Sequence, residues 1–163
     1  MRGFISVALS VLVCGAAWAQ VLTGRVSRVT DGDTFTLSAA KGATNVIVRL
    51  WGVDAPEARQ AYGAKARAEL AGLVTNAAVT VEVKSVDRYR RTVGRVSAGG
   101  ADVGEEMVRR GAAWHSEMFA PGDAALAAAQ REARDGRRGL WDSPREPVPP
   151  WLWRKRGPPE AGP

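Results

Sequence analysis

Between Val21 and Val53 the chain alternates. Val26 and Val29 sit among polar residues, Phe35 and Leu37 alternate with Thr34 and Thr36, and Val46, Val48 and Leu50 alternate with Ile47 and Arg49. A period of two marks half-buried strands, so three strands are predicted here. TDGDT, residues 30–34, reads as the turn between the first two, with Gly32 able to take positive φ, and AKGAT, residues 40–44, as the next hairpin loop. After Pro56 the period lengthens. Tyr62, Ala66, Leu70 and Leu73 fall at helical spacing, and Asn76 is a plausible stop. Val79, Val81 and Val83 restore the strand pattern, DRYRRT forms a hairpin, and a fifth strand holds Val93 and Val96. Asp102 is placed to cap a second helix, with Glu105 as its box partner and Gly111 closing it. Asp123 is placed to cap a third, which would bury Leu126, Ala129 and Ala133 and end at Gly136.

The order is three strands, a helix, two strands and two helices. Five strands leave two sheet edges open unless the sheet closes. The expected fold is therefore mainly β: a five-stranded barrel of the oligonucleotide-binding type with three α-helices in its connections. From Ser143 the chain becomes rich in proline, and residues 143–163 are read as an irregular, basic and aromatic tail. Its WLWRKR run, residues 151–156, suits either a nucleic-acid contact or tryptophans folded back on the domain.

Composition narrows the class. With 45% hydrophobic and 25% charged residues the chain is globular rather than disordered. Its formal net charge of +6 favours polyanionic partners. Arg2, the apolar FISVALSVLVCGAAWA and the small-x-small Ala17-Trp18-Ala19 read as a signal peptide over residues 1–19. Residues 20–142 are then the folded domain, exported to the periplasm or medium, monomeric and without a membrane anchor. Cys14 is the sole cysteine and lies in that leader, so neither a disulfide nor a thiol centre is expected. His115 is the sole histidine and is expected to be structural or superficial, since a zinc site would want more His and Cys.

The candidate chemistry lies in VRLWGVDAPE, residues 48–57. In a regular strand Val48 and Leu50 point into the barrel and Arg49 points away. Asp54 and Glu57 follow, braced by Pro56, and Asp33 lies on the TDGDT turn of a neighbouring strand. Two carboxylates and a backbone carbonyl make an oxygen-only site suited to calcium or magnesium. A second cationic cluster, Arg88, Arg90, Arg91 and Arg95, surrounds Tyr89. Guanidinium groups grip phosphates and a tyrosine stacks on bases. Metal, glutamate and arginines together suit phosphodiester hydrolysis.

The segments VTDGDTFTL, VRLWGVDAPE, DRYRRTVGRV, MVRRGAAWH and RRGLW, in this order, resemble the staphylococcal nuclease family over nearly all of residues 21–142. The resemblance implies calcium held by Asp33, Asp54 and the carbonyl of Ala55, with magnesium or manganese as possible substitutes. It makes Arg49 and Arg91 the catalytic arginines and Glu57 the general base or water-positioning group. Asp31 stands behind the ligands, and Tyr89 contacts the nucleotide beside Arg88. Family members usually carry glycine where this chain has Arg90, which leaves Arg90 and Arg95 as alternatives to Arg91. Trp114, His115 and Phe119 stand near the place where the type enzyme has nucleotide-flanking tyrosines. The activity implied is cleavage of DNA and RNA with 3′-phosphate ends. The alternative is a catalytically weak nucleic-acid-binding module of the same fold.

Overall fold

The computed structural model describes residues 20–39 and 44–156. The predicted leader and the centre of the AKGAT loop lie outside them. β1 (Val21–Asp31), β2 (Thr34–Ala39) and β3 (Val46–Leu50) form an antiparallel meander, and β1 also pairs with β5 (Ala78–Val86), which pairs with β6 (Thr92–Ala98). β3 and β6 then join in parallel, with Val48 opposite Thr92, Arg49 opposite Val93 and Leu50 opposite Gly94. That pairing closes the expected five-stranded barrel and removes both edges. It also sets Arg49 beside the strand that leaves the Arg88–Arg91 hairpin.

The alternating residues fill the barrel. Phe35, Leu37, Val48, Leu50, Val79, Val81 and Val96 are all buried. Helix α1 (Gly63–Val74) buries Ala66, Leu70 and Val74 against them. Tyr62 is not part of the helix: it precedes it at φ 70°, and Val74 rather than Leu73 supplies the last buried contact. Helix α2 (Val103–Arg109) is capped by Asp102, whose side chain accepts from the Glu105 amide. The reciprocal half of the box is missing, because the Glu105 side chain turns to Arg95 and Arg109. Helix α3 (Ala124–Asp135) is capped by Asp123 and buries Leu126, Ala129 and Ala133. A short β7 (Ala101–Asp102) extends the sheet, while β4 (Val53–Asp54) and β8 (Trp114–His115) form a separate two-stranded ribbon.

Two expectations change. Gly32 does not have positive φ. It is needed for space instead: a Cβ there would lie 2.7 Å from the Cβ atoms of both Ala55 and Ala66. The tail is not irregular throughout either, since Pro150–Arg156 forms helix α4. Pro150 occupies its first position, where a missing N–H costs nothing, and the amides of Leu152 and Trp153 bond the Pro149 carbonyl. Trp151 packs edge-to-face on Trp114 at 6.4 Å, and Trp114 on Trp141 at 5.6 Å. Folding back, the second of the two expectations for WLWRKR, is therefore what the tail does. Among the described residues no helix is long and apolar enough to cross a membrane.

Candidate active site

Arg49 leaves β3 on the outer face, but it is not solvated. Its side chain is only 14% exposed, with Nη1 2.7 Å from Asp33 Oδ1 and Nη2 2.8 Å from Asp54 Oδ1. Burial alone works against the charged guanidinium, yet the carboxylates of Asp33 and Asp54 outweigh it and raise the Arg49 pKa. One guanidinium thus bridges two buried carboxylates, one from the β1–β2 turn and one from β4.

Local geometry holds each carboxylate in place. Asp33 ends the β1–β2 turn; its Oδ1 also accepts from the Thr34 hydroxyl at 2.7 Å and its Oδ2 from the Ala55 amide at 3.0 Å. Asp54 is fixed by the ribbon, opposite Trp114. Glu57 lies on the turn after Pro56, where its amide donates to Gln60 Oε1 at 3.1 Å and its carbonyl accepts from the Gln60 amide at 2.8 Å. Gly63 passes so close that a Cβ would sit 2.1 Å from the Glu57 carbonyl oxygen. Only glycine permits that approach. Behind the group, burial and the neighbouring Asp33 push the Asp31 carboxyl up to about 7.

Asp87 organises the arginine hairpin. It accepts from the amides of Tyr89 and Arg91, both at 2.9 Å, and from Arg91 Nε at 2.7 Å. Burial opposes its charge, but the hydrogen bonds and the charge of Arg91 together outweigh it and hold the carboxyl below the usual range. Arg90 has φ 63°, the left-handed conformation that glycine adopts freely, so the turn is kept with an arginine in it. Of the three arginines weighed for the second catalytic position, Arg91 reaches the cleft. Arg90 is exposed at the turn. Arg95 is committed to Asp102, Glu105 and Asp123 with its guanidinium over Trp51. Arg88 and Arg91 lie 4.8 and 5.3 Å from the centre of the Tyr89 ring.

These parts share one cleft of about 260 Å³, lined by Asp31, Asp33, Arg49, Ala55, Pro56, Glu57, Arg88, Tyr89, Arg91, Phe119 and Arg154. An adjoining groove shares Arg49, Arg88, Tyr89, Arg91 and Phe119 with it and runs on past Met118. Exposed Tyr89 and Phe119 give that groove aromatic walls, whereas Trp114 and His115 are buried. The His115 ring is held inside the fold, with Nε2 3.0 Å from the Ala120 carbonyl, and does not line the cleft. A larger cleft between α1 and the tail, about 440 Å³, lies away from the Asp33–Arg49–Asp54 centre.

Sequence reasoning missed Arg154. From α4 it reaches Asp54 with Nη1 at 3.1 Å and Nη2 at 2.7 Å, and Glu57 Oε1 with Nη1 at 2.7 Å. Nothing in the spacing of WLWRKR signals a partner about 100 residues away.

Asp33 and Asp54 fit a hard cation by donor chemistry: both are carboxylates, both are buried, and both reach the same guanidinium of Arg49. Among the described residues no three His, Cys, Asp or Glu side chains gather into a cage. A bound ion would therefore take its remaining ligands from backbone carbonyls, such as that of Ala55, and from water.

The family model described as staphylococcal nuclease homologue matches residues 47–143. The chain is 42% identical over 157 residues to an uncharacterized endonuclease of Escherichia coli, covering 96% of this chain and 99% of the relative. It is 38% identical over 161 residues to a micrococcal nuclease of Shigella flexneri, covering 93% and 90%. A staphylococcal-like nuclease of Arabidopsis thaliana is 42% identical over 108 residues, 66% of this chain but 33% of the relative. The chain belongs to the staphylococcal nuclease family.

Proposed function

We propose that the chain is an exported, calcium-dependent nuclease that hydrolyses phosphodiester bonds of DNA and RNA and leaves 3′-phosphate ends. The observation that carries this reading is the single cleft shared by Asp33, Arg49, Glu57 and Arg91, with Asp54 joined to it through Arg49. The names of the relatives support a nuclease, and the basic chain and aromatic groove support a nucleic-acid substrate.

Arg49 from β3 and Arg91 from the hairpin before β6 approach a bound diester and neutralise the charge that develops on its phosphoryl oxygens. Glu57 stands at the cleft mouth to position a water and take its proton as the oxygen attacks phosphorus. The bond from phosphorus to the 5′ oxygen then breaks, that oxygen takes a proton from solvent to become a hydroxyl, and the phosphate stays on the 3′ side. Tyr89 and Phe119 offer faces on which unpaired bases stack, independently of sequence. Asp33, Asp54 and the Ala55 carbonyl would hold the calcium ion, which when bound supplies Lewis-acid polarisation of a phosphoryl oxygen.

Single-stranded DNA incubated with the protein and calcium is expected to be degraded to products with 3′-phosphate ends, and excess chelator is expected to abolish cleavage. Undiminished cleavage in chelator would defeat the metal assignment. Salt-sensitive binding without cleavage under any divalent ion would favour the binding module instead.

A further inference from the structure

We infer that Arg154, carried on α4, is an internal latch that competes with the divalent cation for the site and must be displaced for the nuclease to work. This rests on the function proposed above. The guanidinium takes both oxygens of Asp54 and one oxygen of Glu57. Asp54 is needed to hold the ion and Glu57 to accept a proton from water. A carboxylate paired in this way has its charge neutralised and its lone pairs engaged. Docked α4 and a loaded site are therefore mutually exclusive at these atoms.

The contact is not an isolated surface pair. Trp151 packs on Trp114, the residue directly opposite Asp54 in the ribbon. Gln60, which holds the Glu57 amide through Oε1, donates through Nε2 to the Val148 carbonyl at 2.5 Å. The tail thus touches both flanks of the site and delivers one cation between them. The docking is also reversible in character. Arg154 is itself 44% exposed, so water can reach its guanidinium, and α4 is only seven residues long, too short to be stable by itself. Its other cations, Lys155 and Arg156, are exposed and suited to follow a nucleic-acid backbone once α4 lifts. Ion and polyanionic substrate would both pull in the same direction, a coupling that ties activity to the presence of substrate.

The test compares the full chain with its Arg154→Ala and Arg156→Ala variants. Calcium binding is measured by calorimetry without nucleic acid, and amide exchange is followed over residues 151–156. Arg154→Ala is expected to bind calcium about tenfold more tightly, with the half-saturating calcium for DNA cleavage falling in step. Arg156 has no ion pair among the described residues, so Arg156→Ala removes the same charge from the same helix and is expected to change the calcium affinity measured without nucleic acid by no more than about twofold. In the unaltered protein calcium is expected to speed exchange in α4. Equal calcium affinity in the unaltered and Arg154→Ala proteins would overturn the latch while leaving the nuclease reading intact. Equal tightening by both substitutions would also overturn it, as general electrostatics. Failure of every form to bind calcium, with cleavage indifferent to chelator, would overturn the metal reading and the latch with it.

Discussion

Replacing Glu57 with glutamine is expected to lower the cleavage rate by about 10²–10⁴, the usual contribution of a positioned general base. The substitution keeps the shape of the side chain and removes its ability to take a proton. Little stability should go with it. The side chain is 39% exposed and its one ion pair among the described residues is with Arg154, so the change in unfolding free energy should stay within about 0.5 kcal/mol. The backbone of the turn is held by Gln60 and by the close approach of Gly63, neither of which depends on the carboxylate. Single-turnover kinetics alongside urea denaturation would separate the two quantities. An equal loss of rate and of folded protein would show that Glu57 is structural.

Arg49→Ala is expected to behave differently. A rate loss of about 10²–10³ follows from removing a charged donor to the phosphoryl group. Here stability falls as well. Arg49 is the cation that neutralises Asp33, and Asp33 and Asp54 are almost completely buried. Breaking such a group leaves an uncompensated charge, at a cost of about 3 kcal/mol, the lower end of the range because Arg154 still partners Asp54. The strand alternation alone says only that Arg49 points out of the barrel, toward an exposed position. The structure corrects that. Added calcium should recover part of the lost stability by binding the folded state at the same carboxylates. Denaturation of Arg49→Ala with and without calcium would measure this, and no recovery would place the ion elsewhere.

The contrast between these two residues shows what a linear sequence carries and what it omits. Strand alternation at Phe35, Leu37, Val48 and Leu50 reports its own burial, and Asp102 and Asp123 sit within a few residues of the amides they cap. Those are local signals, and they yield the barrel strands and the three helices packed on it. Closure itself could be argued from unpaired edges, but the parallel β3–β6 partnership could not, because its registers are fixed by packing across the whole sheet. The same holds for the ribbon that fixes Asp54 against Trp114. The burial of Arg49 was hidden for a related reason: its position in the strand says outward, and only the fold reveals that carboxylates from a turn and from the ribbon cover it. Gly32 reads as a turn residue, while its constraint is crowding by Ala55 and Ala66, both distant in sequence. Helix α4 was masked by the prolines around it, since Pro150 starts a helix as readily as it ends one.

The family motifs nominate Glu57 and Arg91, but they do not say that the two act on one diester. Closure of β3 on β6 is what brings Arg91 to the cleft that Arg49 and Glu57 line. Residues that work on a single transition state are strongly non-additive. The decisive measurement is therefore single-turnover cleavage of one oligonucleotide by Glu57→Gln, Arg91→Ala and the double variant at saturating calcium. The double variant is predicted to be only slightly slower than the slower single variant. Losses that multiply in full would mean that the two side chains serve independent steps, and the single shared catalytic site would be contradicted.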